Sequence, residues 1–381
     1  AARTVTFPDA AITIPSGTLI AGTVANANRL DSTSAVGVIK ESLIADGIST
    51  SVLTLAGTLT APQTVTIQNK SGTMGLVDQD PTASFKNKII NYDFSVAQAG
   101  TVFAVAGYTL DQWYFNFAGS GPSVTQQTRT LGTLARPGKK FFRLSVSTTV
   151  LTPTIENRIE NVENFAGDFV TISITAKTLA SRTLTVNVIQ NFGAGGSPSG
   201  SVTTVAGTVN LTTTLTRYSV TVFVPSISGK TLGTAGDYVA IQFAFPTAVL
   251  EGYDIYDVQA ERGSIMTDLE QRPPGAELAL CERFFVTLPN NTNTVGPWGS
   301  LYATTGGKVF WPFRVPMRAI PTLSGTGNSF EIIGVGPVTG TVANTVLGTQ
   351  GVNFDGTSLS SAGTIGQPLA YRGAGLLSAQ L

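Results

Sequence analysis

The stretch Tyr253 to Phe285 reads YDIYDVQAERGSIMTDLEQRPPGAELALCERFF and changes character three times. Tyr253 to Val258 alternates aromatic or aliphatic residues with acids, the pattern of a half-buried strand. Glu261-Arg262-Gly263 is a turn. Arg272-Pro273-Pro274-Gly275 then stops any regular element, because two prolines fix φ and remove two backbone donors. Ala276 to Phe285 follows as the best helix candidate of the chain, with Leu278, Leu280 or Cys281, and Phe284 or Phe285 near three-to-four spacing. The stretch therefore reads as a seam between two domains, at residues 271–286.

Composition narrows what lies on either side. A chain of 381 residues accommodates two or three domains with cores of their own. Charged residues make up 12%, about half the usual soluble share of roughly 25%. With 41 Gly and 19 Pro, the balance fits many short strands and tight turns rather than a collagen-like or disordered chain. Lys plus Arg and Asp plus Glu both number 23. Nothing in that balance steers the chain to nucleic acid or to an anionic membrane. No apolar run approaches the roughly 18 residues of a membrane span. The chain opens at Ala1 rather than Met, which reads as a processed or partial chain, and no signal peptide is visible.

The absence of histidine excludes His-based triads, His general bases and most zinc and iron sites. A single cysteine, Cys281, allows no intrachain disulfide and no cysteine-rich metal knuckle. Its place on the apolar side of the seam helix predicts a small buried hydrophobe.

Three regions flank or precede the seam. Residues 1–87 are short Thr/Val runs with Gly turns and almost no aromatics. Thr4-Val5-Thr6-Phe7 is echoed at Thr64-Val65-Thr66-Ile67, each followed by Ser-Gly-Thr. So few large side chains build no wide core in a single chain, which predicts several copies sharing a narrow core in a β shaft. The alternative is an ordinary β-rich domain. Ser34 to Ala45 reads as a short helix, with Val36, Ile39, Leu43 and Ile44 on one side. In residues 88–270, Phe169–Ala176, Thr183–Ile189, Tyr218–Val224 and Tyr238–Phe245 each alternate, with turn signals at Gly193–Gly200 and Ser228-Gly229-Lys230. This predicts an antiparallel sandwich of jelly-roll type, with Trp113 in its core. Residues 287–381 form a C-terminal β domain. The fold class expected is all-β: an N-terminal fibre-like β segment, a central jelly-roll β-sandwich and a C-terminal β-sandwich-like domain.

The seam carries Glu261, Gly263, Thr267, Glu270, Arg272, Pro273, Glu277, Leu278, Leu280, Cys281, Arg283, Phe284 and Phe285 in order. This run resembles the seam of many tailed-bacteriophage tail-fibre and virion-appendage proteins. Val5–Asp9 resembles strings of fibre shafts. Val315-Pro316-Met317-Arg318 with Pro321-Thr322, and the ending Ser378-Ala379-Gln380-Leu381, resemble the C-terminal domains of that group, the latter with Gln380 where Glu is usual, and read as a natural end. Asn87 to Phe94, Asp111 to Trp113 and Ile255 to Val258 are similar to the ends of jelly-roll carbohydrate-binding modules, over about 180 residues. Some such modules hold a calcium between these ends. Here Ser95 follows Phe94 where an acid is often found, so no metal ligand is assigned. The resemblance implies a virion appendage, localised to the particle as a tail fibre. Its implied partners are two further copies of itself in a homotrimer, tail or baseplate proteins and a host cell-surface glycan, with no cofactor, no nucleic acid and no membrane insertion.

Candidate chemistry is sparse. The one catalytic option is a carboxylate pair cleaving a glycosidic bond. Candidates are Glu156, Glu160, Glu163 and Asp168, and then Glu251, Asp254, Asp257 and Glu261. The first set reads as solvated faces and turn caps, the second as the wet side of a sheet, so no catalytic residue is assigned and binding without catalysis is expected. Sugar binding needs only a flat aromatic with flanking hydrogen bonds. Trp298, Tyr302, Trp311 and Phe313 are the candidates. Two readings stand for them, a ligand surface and the core of the C-terminal domain. A purely structural head-fibre, collar or adaptor role is a further alternative.

Overall fold

The computed structural model describes residues 40–45, 49–54, 85–118, 121–130, 132, 140–146, 151–246, 251–288, 298–324, 329–339, 341–371 and 375–380. The chain divides into two units, Ala1–Thr73 and Met74–Leu381. In the first, β1 (Lys40–Ala45) pairs antiparallel with β2 (Ser49–Thr54), Lys40 opposite Thr54 and Ala45 opposite Ser49. The helix expected over 34–45, of which 34–39 lie outside the described residues, is corrected over Lys40–Ala45, which is strand. The signal for it was Asp46-Gly47 between two short runs, a hairpin dipeptide. The Thr-Val-Thr echoes and the rest of the expected shaft up to residue 84 lie outside the described residues.

The second unit opens with a sandwich. Its strands are β3 (Val102–Phe103), β4 (Gly107–Tyr108), β5 (Trp113–Ala118), β6 (Pro122–Thr128), β7 (Lys140–Val146) and β8 (Leu151–Glu160). They continue as β9 (Phe169–Thr178), β10 (Arg182–Asn191), β11 (Val202–Leu211), β12 (Thr216–Phe223), β13 (Tyr238–Ala244) and β14 (Glu251–Arg262). Two six-stranded antiparallel sheets result, ordered β11-β10-β13-β8-β5-β4 and β12-β9-β14-β7-β6-β3. Neighbours in a sheet are mostly distant in sequence, as in a jelly roll. Period two explains the core. Leu184, Val186 and Val188 of β10 and Val239, Ile241 and Phe243 of β13 meet Val170, Ile172 and Ile174 of β9. Trp113 is fully buried with its indole N–H donating to the Asn91 carbonyl at 3.0 Å, and its ring lies 4.9 Å from that of Phe94.

Strand β14 breaks its own period. Tyr253 and Ile255 face inward, the register slips at Tyr256, and Val258 and Ala260 then take the inward positions. The extra residue is a β-bulge. It leaves Tyr256 on the outer side, stacked on Phe141 at 4.6 Å and 12°. The acids of β14 depart from expectation. They are not the wet side of a sheet: Glu251, Asp254, Asp257 and Glu261 are all buried. The chain folds back after Gly263. The Thr267 N–H and hydroxyl both donate to the Glu261 carboxylate, and Gln259 donates to Glu261 and to the Asp268 carbonyl. A buried carboxylate requires such donors, or its desolvation goes uncompensated.

The seam follows. Helix α1 (Pro274–Glu282) starts on the second proline and buries Glu277 and Cys281. Burial pushes the Cys281 thiol well above its ordinary pKa, so it stays a neutral, apolar group. Arg272 pairs with Glu277 at 2.6 Å and donates to the carbonyls of Asn87 and Ile89.

A C-terminal β domain completes the unit, with its own core. Strands β15 (Phe285–Leu288), β16 (Trp298–Ala303), β17 (Gly306–Pro312), β18 (Thr322–Ser324) and β19 (Ser329–Ile332) come first. Then come β20 (Gly336–Thr339), β21 (Thr341–Leu347), β22 (Gly351–Thr357), β23 (Pro368–Tyr371) and β24 (Gly375–Ser378). A three-stranded sheet β15-β24-β18 and a seven-stranded sheet β20-β19-β23-β16-β17-β22-β21 share this core. Val286, Leu377 and Ala379 pack from one side, and Leu301, Val309, Phe330, Val352 and Phe354 from the other. Gln98 joins the two cores, its side chain donating to the Phe285 carbonyl at 2.8 Å while its own carbonyl accepts from Thr287. Arg283 grips Glu160 with two guanidinium nitrogens at 2.8 to 3.1 Å.

Candidate functional site

The seven-stranded sheet has one face on the core and one free, so alternate residues of its strands are solvent-facing. On the free face the register sets Trp298 of β16 opposite Phe310 of β17, and Phe310 opposite Asn353 of β22. A register shift after Leu301 bulges β16, and Tyr302 is exposed. Trp298, Phe310 and Tyr302 are 50%, 49% and 48% exposed. Half-exposed rings on adjacent strands form an aromatic strip.

Two glycines let the rings lie low. A Cβ at Gly306 would sit 3.2 Å from the Tyr302 ring, and one at Gly351 only 2.7 Å from Phe310. Polar groups flank the strip. The Tyr302 hydroxyl donates to Asp355 at 2.8 Å, and Lys308 lies 4.0 Å from the same carboxylate. That bond to Asp355 raises the Tyr302 pKa, so the hydroxyl stays protonated and keeps its donor.

The structure separates the four residues singled out from the sequence. Trp298 and Tyr302 lie on the free face. Trp311 and Phe313 are partly buried against the C-terminal core, edge to face at 5.9 Å. Phe310 was missed, although it is one residue from Trp311. Period two places it on the opposite face, but which face is free is decided by the partner sheet.

A second cluster sits on the sandwich. Asn187, Gln242, Glu156, Tyr114 and Tyr108 form a row across five strands. Asn187 donates to Gln242 at 3.1 Å and Gln242 to Glu156 at 2.9 Å. Arg158 pairs with Glu156 at 2.7 Å, and its guanidinium carbon lies 4.0 Å from the Tyr114 ring centroid and 4.9 Å from that of Tyr238. Burial pushes the Tyr108 hydroxyl up to about 12. This cluster was invisible while Glu156 and Arg158 were read as a solvated face.

The carboxylates considered for glycoside cleavage are distributed among separate partners. Glu156 pairs with Arg158, Glu160 with Arg283, Asp168 with Arg262, Glu251 with Arg182 and Asp254 with Arg143. Asp257 accepts from Thr175 at 2.7 Å. Asp111, with a pKa raised to about 6 by burial, accepts from Gln98 inside the joint. Among the described residues no group of His, Cys, Asp or Glu is arranged to hold a metal, and no helix is long and apolar enough to cross a membrane.

No protein-family model and no curated protein matches this chain. Among solved structures, it is similar to the enzymatically active domain of bacteriophage CBA120 tailspike protein 4. That likeness has 17% identity and a TM-score of 0.33, and covers 47% of this chain and 22% of the tailspike chain. It is also similar to a CBM4 structure, at 17% identity and a TM-score of 0.30, covering 46% of this chain and 99% of that one. A third likeness is to TmCBM61 in complex with beta-1,4-galactotriose, at 9% identity and a TM-score of 0.29, covering 46% and 99%.

Proposed function

We propose that this protein is a tailed-phage tail fibre or similar virion appendage that binds a host-surface glycan without catalysis. The observation that supports the binding reading is the strip of Trp298, Phe310 and Tyr302 beside Asp355, Lys308 and Asn353. Flat exposed rings stack on the apolar faces of sugar rings, and the flanking groups fit their hydroxyls. The appendage reading rests on the seam from Glu261 to Phe285 and on the Val315–Arg318 string.

One such site is weak. A single stacked sugar with a few hydrogen bonds gives about millimolar affinity, on the order of 4 kcal/mol. Repeated sites on one particle raise this by about 10² or more through avidity. Contacts of this kind depend little on salt, unlike charge-driven ones.

The test is a glycan array probed with the full chain, followed by Trp298→Ala, Phe310→Ala and Trp311→Ala. The first two are expected to weaken binding about tenfold and to leave the melting temperature nearly unchanged. Trp311→Ala is expected to lower the melting temperature, because its ring covers core. Unchanged binding in both strip variants would remove the C-terminal sheet as the receptor face. Release of new reducing ends from the bound glycan would replace this reading by that of a depolymerase.

A further inference from the structure

The outer face of the sandwich carries a recess that the aromatic strip does not use. It has a volume of about 620 Å³, within the range of small-molecule sites. Three adjacent strands build it. Asp254 of β14 is opposite Arg143 of β7 on one side and Lys177 of β9 on the other, so all three side chains stand on one face. Two residues back along β14, Gly252 is opposite Ser145 and brings no side chain, which leaves room between the strands. Leu179, 79% exposed, forms an apolar wall.

The charges of the recess do not cancel. Arg143 binds Asp254 through Nε at 2.6 Å and Nη2 at 2.8 Å, which leaves Nη1 of the fork without a hydrogen bond among the described residues. Arg182 neutralises Glu251 at 3.0 Å. The Lys177 ammonium has neither ion pair nor hydrogen bond among the described residues. Two neutral pairs and one unpaired ammonium sum to a single positive charge. Beside it stand the Ser145 and Thr213 hydroxyls.

We infer that this recess binds a sugar unit bearing one anionic group, a carboxylate or a phosphate, with the anion on Lys177 and the free edge of Arg143. The hydroxyls of Ser145 and Thr213 meet sugar hydroxyls, and Leu179 packs against the ring. This site is separate from the aromatic strip, and the failure of either leaves the other standing.

Saturation-transfer NMR on the full chain tests it, with glucuronate, glucose 6-phosphate and glucose as probes, and with inorganic phosphate, which has no carbon-bound proton, as a competitor against glucose 6-phosphate. The expected result is a signal for one or both anionic sugars that exceeds that of glucose and weakens as salt is raised. The stronger of the two identifies the anion. Lys177→Met keeps the stem and removes the charge. It should weaken that probe about tenfold without lowering the melting temperature, since no native bond is lost. Trp298→Ala should leave it unchanged. The inference is overturned if, in Trp298→Ala, glucose binds as well as the anionic sugars, if neither anionic sugar binds, if Lys177→Met binds like the wild type, or if inorganic phosphate competes as tightly as glucose 6-phosphate binds. Because the salt dependence is read on the native chain, a misfolded variant does not rescue it.

Discussion

At the scale of single residues, Asp111 links burial to pH. It is 1% exposed, accepts from the Gln98 amide N–H at 3.0 Å and from its side chain at 2.7 Å, and has no cation on either oxygen among the described residues. Desolvation dominates and raises its pKa from 3.8 to about 6, while the Gln98 bonds pull it back. The folded value lies above the unfolded one, so the native state binds the extra proton. The stabilising contribution is present in full below pH 4, roughly the unfolded value, and is lost as pH rises through about 6. Its size is on the order of 2–3 kcal/mol. Urea unfolding between pH 4 and 7 should show stability falling over that window, and the slope should flatten in Asp111→Asn. An identical slope in the variant would assign the effect to other groups. Because Gln98 also donates to Phe285, the same titration bears on the joint between the cores.

At the scale of elements, the seam works as a clasp. Glu270 accepts the backbone N–H groups of Phe85 and Asn87 at 2.8 and 2.6 Å. Arg272 donates to the carbonyls of Asn87 and Ile89, and Glu277 accepts the Asn91 N–H. The residues entering the sandwich are thereby tied to those leaving β14. Gly263 has φ of 104°, which a side chain would resist, and its N–H donates to Phe169. Arg272 and Glu277 are both nearly inaccessible, so truncating one strands the other charge in the interior. Arg272→Ala is therefore expected to cost about 3–5 kcal/mol. Arg272→Met with Glu277→Leu, which removes both charges, should cost less. Chemical unfolding of both variants checks this, and equal losses would show that the carbonyl bonds matter more than the ion pair. The C-terminal strings have a comparable basis. Met317 is buried, Arg318 donates to the Ala379 carbonyl at 3.1 Å, and the Ala379 N–H donates to Phe284 at 2.8 Å.

At the scale of the whole molecule, the sandwich and the C-terminal domain have cores of their own, rich in Phe, Ile and Val. Residues 1–87 have few large side chains to offer. That contrast motivates the trimer reading. Mass measurement in solution should give three chains for the full protein and one for a chain beginning at Lys88. A monomeric full-length chain would sink the shaft reading.

The sequence by itself determined the all-β class, the alternating strands from Phe169 to Phe245, the buried Trp113, and the helix after Pro273. These follow from local rules, namely period two, proline geometry and the need to bury large side chains. The hydrophobics at 253, 255, 256 and 258 even recorded the bulge, since two adjacent inward-type residues cannot both keep period two. The hairpin at Lys40–Thr54 was legible in Asp46-Gly47, and was obscured by apolar spacing that also fits a helix. Only the tertiary structure decided which face of each strand is wet. Trp311 and Phe310 differ by one position, and the second sheet alone settles which of them packs on core. Glu261 and Asp254 look solvent-bound along their strand, and become buried because Ser264 to Arg272 returns over one and the Arg143 fork closes on the other. Burial is a property of what comes back over a strand, and the pattern within the strand does not contain it.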